Sequence, residues 1–535
     1  MDYLSLCLVC KDENHYLPEW LDYHILLGVD RFYIYDNESH VSLRTSLAAY
    51  IQRGWVVVID APGQAIQLNA YDHCLRTFGA HTFWLGFIDT DEFLLPKTNS
   101  NLKDLLKEFE PYAGLAVSSL FFGSNGHLVR PLQGQLAAYT TRVDAAIHEY
   151  QLVKSIVQPR WVIMPNSPHD FIYQENQSCV NEVFLPVEYQ RFPTHTEKIQ
   201  LNHYYCRSAH EIKQKLQRGN AQSVAWQRDR FDTLNHLATT PDDSAPQLLA
   251  RLLDEPGQNS AAQVTALFEK MARAAHQLSP NQPPSQSSAR MSAIRPELAL
   301  WLQKKAAWEA AKAGNDLANV LRLGQEMLQL HPHYIHLLVV MAVDCLAVND
   351  PASAWQYLSH AWQLSPNKNY NVLSGMVFFF LWTDNFTMAE KTSRLILDFA
   401  PTDVQVTGLL VSSLIGLGRR ADALQVGLPL LALAGSPGWQ LSDRLAISLF
   451  NSLAGYLLED HNYLLAQRLW EQAVSWRPND PGLQLQLAQT CLLAGDPQSA
   501  RRWLASVLAL APQNEQALQL LRQVENPASP STRAA

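Results

Sequence analysis

The sequence is short of several things. It has no apolar run long enough to cross a bilayer, no clustered basic stripe, and only seven cysteines in 535 residues. The start, "MDYLSLCLVCKDENHYLP", lacks a basic leader region and a cleavage site, and its apolar run breaks at Lys11. The run "HYIHLLVVMAVDCLAV" is interrupted by His333, His336 and Asp344, which suits a packed helix better than a membrane span. Forty-one Lys and Arg stand against fifty Asp and Glu, a net charge of -9. Phosphate backbones therefore find no basic surface, and nucleic acid is not expected as a partner. The odd number of scattered cysteines points to a reducing compartment, so the expectation is a cytoplasmic chain without a transmembrane segment. Cys7 and Cys10 form the one CxxC. No second pair completes a four-sulfur site, and positions three apart on a strand face opposite ways, so the motif reads as packing.

What is present is enough for two or three domains. Hydrophobic residues make up 47% of the chain and charged residues 17%, an ordinary globular composition that is too long for one core. The first half alternates strand-like and helix-like patterns. "YLSLCLVC", "RFYIYD", "WVVVID" and "TFWLGFID" read as strands, separated by helical periods in "NHYLPEWLDYHILLG", "SLRTSLAAYIQRG" and "QLNAYDHCLRTFGA". That alternation predicts an α/β domain with a mostly parallel, Rossmann-like sheet, in which ligands bind beyond the carboxyl ends of the strands. The loops "KDEN", "DNES", "APGQ" and "DTDE" then become the candidate site.

The last of these holds Asp89 and Asp91, two apart, at the end of the buried-looking run "WLGFI". In an extended segment both carboxylates lie on one side, and two hard oxygen donors there can hold Mg²⁺ or Mn²⁺ with positions left for water and phosphate. A divalent ion on a diphosphate stabilises it as a leaving group, which is what a nucleotide-sugar donor needs.

The second half is helical. A Pro-, Ser- and Gln-rich segment, "LSPNQPPSQSSAR", marks a linker, placed at 279–295. Beyond it Pro332, Pro366, Pro401, Pro437, Pro478 and Pro512 follow one another at intervals of 34 to 41 residues. Ala354, Ala389, Ala466 and Ala500 each stand twelve residues before one of them, where the two helices of a hairpin must approach closely. This resembles the tetratricopeptide repeat, an all-α solenoid with a concave binding face, over about 296–524. The domain expectation is 1–278 for the α/β domain (core 1–225, helical extension 226–278), then linker, repeats, and a disordered tail at 525–535.

"KDENHYLPEWLDYHILLGVDRFYIYDNES", "WLGFIDTDEFLLP", "KSIVQP" and "LNHYYCRS" together resemble the successive motifs of glycosyltransferase family 92 and its bacterial family-2-like relatives. The resemblance covers roughly residues 1–225. It implies a GT-A fold and transfer of a sugar from a nucleotide donor, UDP-linked, with inversion, to a glycan or protein acceptor. Carried over by position, Asp89 and Asp91 match the DxD motif, with Asp91 the direct metal ligand, and His203 matches the late histidine that completes Mn²⁺ or Mg²⁺ coordination. Asp36, with Asn37 beside it, matches the acid that meets the uracil, while Lys11 and Glu13 lie on the neighbouring loop. Lys154 can pair with the diphosphate and His169 can line the acceptor side. Glu92 and Asp170 are the candidates for the carboxylate base. Glu19, Trp20 and His24 also match the pattern, but their spacing fits packing of one helix onto the sheet. Two functions compete: a metal-dependent glycosyltransferase whose repeats recruit an acceptor or partner protein, and a non-catalytic repeat scaffold with a nucleotide-sugar-binding domain.

Overall fold

The computed structural model describes residues 1–218, 224–254, 261–280, 290–365, 369–436, 439 and 441–525. The chain separates into two compact units, Met1–Val372 and Leu373–Ala535. Pro366, Pro437, the middle of the expected linker (281–289) and the expected tail from 526 onward lie outside the described residues. Glu525, assigned to that tail, ends a helix.

The first unit is organised by a nine-stranded sheet. Its strands are β1 (Asp2–Cys10), β2 (Arg31–Asp36), β3 (Val56–Asp60), β4 (Thr82–Phe87), β5 (Glu92–Pro96), β6 (Gly114–Phe121), β7 (Val153–Val157), β8 (Cys179–Val180) and β9 (Ile199–His203). The order is β3-β2-β1-β4-β7-β6-β9-β5, with β8 on β6. The four strands read from sequence pair in parallel. The short strands further along reverse direction: β7 runs antiparallel to both β4 and β6, and β9 antiparallel to β5.

The apolar runs are buried on both faces because helices cover both. Cys10 packs into a core with Trp20, Phe32 and Trp84, and Cys7 into a separate one with Tyr35, Tyr71 and Phe87. The two sulfurs thus belong to opposite faces of β1, and all seven cysteines are free and buried. The helix α1 (Leu17–Leu26) starts at Pro18 in its first turn and is followed by Gly28 at φ +93, a conformation that suits glycine. Where one helix was expected over "SLRTSLAAYIQRG", two short ones form, Leu43–Ser46 and Ala48–Gln52.

The first repeat helices belong to this unit. Arg290 bridges Asp60 at the end of β3, and Arg295 holds Asp72 through both carboxylate oxygens at 2.7 and 2.8 Å. Trp301 Nε1 donates to Asn166 Oδ1 at 3.2 Å, Asn166 Nδ2 donates to Tyr334 Oη at 2.8 Å, and Tyr189 stacks on His336 at 4.0 Å. The second unit is all helix. Asn385, Asp403, Asn462, Asp480 and Asp496 cap their helices through side-chain acceptors. Ala354 in the first unit and Ala389, Ala466 and Ala500 in the second are fully buried, as close helix approach requires. Among the described residues no helix is long and apolar enough to cross a membrane.

Candidate functional site

Strand register creates the site. β5 lies antiparallel to β9 with Glu92 directly opposite His203. The turn that carries Asp89 and Asp91 leads into β5, so two motifs more than a hundred residues apart meet. The helix α1 fixes β5 from beneath: Trp20 Nε1 donates to Glu92 O at 2.8 Å, Tyr23 Oη to Leu94 O at 2.9 Å, and Leu94 N to His24 Nε2 at 3.3 Å. Trp20 and His24 are fully buried, so the helix residues of the family pattern serve as packing that aims the turn. Glu19 accepts from the amides of Gln135 and Leu136 at 2.8 and 3.1 Å.

The acids differ in their surroundings. Asp91 is buried, with Oδ2 3.2 Å from Lys215 Nζ and Oδ1 3.7 Å from His203 Nε2. Burial pushes its carboxyl up, but Lys215, His203 and Arg207 outweigh that and hold it below the usual carboxylate range, so it is ionised. Burial pushes His203 down to about 3, against the pull of Asp91 and with help from Lys215 and Lys154, which leaves the imidazole neutral. Lys154 Nζ bridges Asp89 Oδ2 at 3.0 Å and Glu92 Oε2 at 3.2 Å. Glu92 is 1% exposed and also accepts from Asp89 N at 2.8 Å. Burial drives its carboxyl up to about 8, Lys154 opposes this, and Asp89 and Asp91 add to it.

Beside the turn lies a cavity of about 390 Å³, a size suited to a small ligand. Arg130, Arg207 and Lys215 line it with Asp12, Glu13, Glu211, Tyr16 and Tyr205. Arg207 Nη1 holds Glu13 at 2.7 Å, its Nε donates to Gln135 Oε1 at 2.9 Å, and its Nη2 reaches Thr90 Oγ1 at 3.4 Å. One guanidinium therefore joins the loop after β1 to the acidic turn.

The structure brings together Asp89, Asp91, Glu92, Lys154 and His203, and sets Glu13 in the cavity wall. Asp36 and Asn37 stand at the end of β2, where Asp36 Oδ1 accepts from Ser39 N at 3.0 Å and Asn37 Nδ2 donates to Ala61 O at 2.8 Å. Lys11 lies just past the end of β1. His169 donates from Nδ1 to Val153 O at 2.9 Å, next to Lys154 in the chain. The two candidate bases do not line the cavity: Glu92 is engaged by Lys154 and Asp89 N, and Asp170 by Ser167 Oγ and, at 2.6 Å, by Asn166 Nδ2. Arg207 and Lys215 were not singled out from the sequence. The signal for Arg207 was its position four residues after His203; a charge on the helix α2 (Ala209–Arg218), such as Lys215, reads as a solvated face until its partner is known.

Among the described residues no three His, Cys, Asp or Glu side chains converge as a metal-holding group. The Asp91–His203 pair, an ionised carboxylate beside a neutral imidazole, does offer donors that a divalent ion accepts, with its other positions left to ligand and water.

Residues 3–235 match the family model described as Glycosyltransferase family 92. The N-terminal region is similar to that family. Residues 457–524 match a model described as Tetratricopeptide repeat, so repeats of that kind stand at the C-terminal end. A glycosyltransferase family 92 protein of Ricinus communis is 28% identical over 267 residues, 48% of this chain and 44% of the relative. One of Oryza sativa subsp. japonica is 30% identical over 184 residues, 33% of this chain and 31% of the relative. The chain thus spans less than half the length of these curated relatives. Among solved structures, the Pseudomonas aeruginosa pilF protein is similar at 13% identity and a TM-score of 0.34, covering 43% of this chain and all of that one.

Proposed function

We propose that the N-terminal region transfers a sugar from a nucleotide-linked donor, a UDP-sugar, to an acceptor hydroxyl with inversion, and that Mn²⁺ or Mg²⁺ assists. The observation that carries this reading is the Asp91–His203 pair at 3.7 Å beside a cavity lined by three cationic side chains. Asp91 and His203 would hold the ion, which when bound neutralises the diphosphate and so eases its departure. The chain's own residues do the rest. Lys154 keeps Asp89 and Glu92 in place, and Glu92 packs behind His203. Arg130, Arg207 and Lys215, each paired with a carboxylate, are the donors that a negatively charged ligand in the cavity would share. Glu13 and Glu211, in the wall, are the carboxylates that an acceptor hydroxyl entering the cavity would meet. The repeats, by their kind, recruit the acceptor or a partner protein.

The test is thermal-shift binding of UDP, GDP and CMP with and without Mn²⁺, on the wild type and Asp91→Ala. A Mn²⁺-dependent UDP shift that disappears in the variant supports the reading, and release of UDP from a donor sugar then establishes turnover. No shift with any nucleotide removes it.

A further inference from the structure

Lys215 is the most exposed of the three cations that line the cavity. Arg207 is fixed by Glu13, Gln135 and Thr90, and Arg130 Nε is held by Glu211 Oε1 at 3.1 Å. The Lys215 side chain is 44% exposed, reaches Asp91 Oδ2 at 3.2 Å, and lies 4.9 Å over the Tyr205 ring. The first turn of its helix is anchored: Ser208 donates through its amide and hydroxyl to Glu211, and Glu211 also accepts from Tyr16 Oη.

We propose that Lys215 is a positioning residue that neutralises Asp91 while the site is empty and swings to the donor's diphosphate when an ion takes its place. This rests on the proposed function above. Asp91 Oδ1 faces His203 and Oδ2 faces Lys215, so an ion held by Asp91 sits close to the ammonium and repels it. The displaced ammonium, on a flexible four-carbon stem, remains in the cavity wall where a phosphate would arrive. Lys215 thus opposes the ion alone and favours the ion together with a diphosphate. Binding of the two is coupled, and free metal is kept out of an unloaded site.

The coupling gives two effects of opposite sign. Mn²⁺ alone, then UDP at saturating Mn²⁺, are titrated by calorimetry into the wild type, Lys215→Met and Lys215→Arg. Lys215→Met is expected to bind Mn²⁺ about tenfold more tightly and UDP about tenfold more weakly, while Lys215→Arg stays near the wild type. If Lys215→Met does not fold, Lys215→Gln carries the same expectation. A wild type that binds both ligands, with a variant that shifts neither or shifts both the same way, overturns the role of Lys215 alone. A wild type that binds neither Mn²⁺ nor UDP overturns the metal-dependent reading and this role with it.

Discussion

His203 and Glu92 stand opposite each other in antiparallel strands, with the imidazole Nδ1 3.4 Å from Glu92 Oε1. The approach is a contact and not a hydrogen bond, and the other ring nitrogen lies 3.7 Å from Asp91 Oδ1. Glu92→Met, which deletes the oxygens behind the ring, is expected to weaken Mn²⁺ binding in the presence of UDP by about 10–100-fold. Calorimetry checks it, and an unchanged affinity would show that the ring is held by packing alone.

Lys154 is 2% exposed at its side chain and serves two carboxylates at once. Lys154→Met leaves Asp89 and the buried Glu92 without their counter-charge, and is expected to cost about 3–5 kcal/mol of folding stability. Urea denaturation measures this. A loss under about 1 kcal/mol would mean that Glu92 takes up a proton and needs no partner.

The Trp20 indole makes one hydrogen bond and fills a fully buried space. Trp20→Ala is expected to destabilise by about 3–5 kcal/mol and Trp20→Phe by less, because the latter keeps most of the ring volume. Equal losses in the two unfolding curves would assign the whole effect to the bond with Glu92 O.

Burial raises Glu19 to about 7 from 4.5, with the Gln135 and Leu136 amides pulling the other way. The folded chain therefore binds this proton more tightly than the unfolded one. Its contribution to stability is present at low pH and lost as pH rises through the folded value, within a window of about 4.5 to 7. Glu19→Gln cannot titrate, so the fall in urea midpoint between about pH 5 and about pH 7.5 should be shallower than in the wild type. Parallel profiles would exclude Glu19 as the source.

A chain ending at Val372 is expected to unfold in one cooperative step. One ending at 278 should lose the Trp301, Arg295 and Tyr334 contacts and melt earlier. Differential scanning calorimetry separates the two. Identical melting temperatures would mean that the first repeat helices add nothing to the sheet.

Much of the parallel half was legible because β1 to β4 are apolar runs bounded by polar loops, a local signal. The reversed strands were not ordered in advance, since β7 pairs with β4 across some seventy residues and only two of its register pairs form there. Asp89, Asp91 and His203 were readable as motifs, yet their meeting depends on the β5–β9 register, which no spacing encodes. Asp170 reads from sequence as a free carboxylate; the Asn166 and Ser167 contacts that engage it come from a tight local turn. The proline-rich segment read as a boundary by composition, whereas its last residues join the sheet domain, Arg290 through a backbone bridge to Asp60 and Arg295 through its side chain to Asp72. Pairing over that distance leaves no trace in composition.

Arg207 sits in the left-handed region at φ +48, a backbone state that disfavours most residues with a Cβ by about 1–2 kcal/mol. Glycine would relieve that strain, but it has no guanidinium to reach Glu13, Gln135 and Thr90. A library screened for heat resistance would keep arginine here as firmly as one screened for turnover, because losing the buried ion pair to Glu13 costs about 3–5 kcal/mol against about 1–2 kcal/mol of relieved strain.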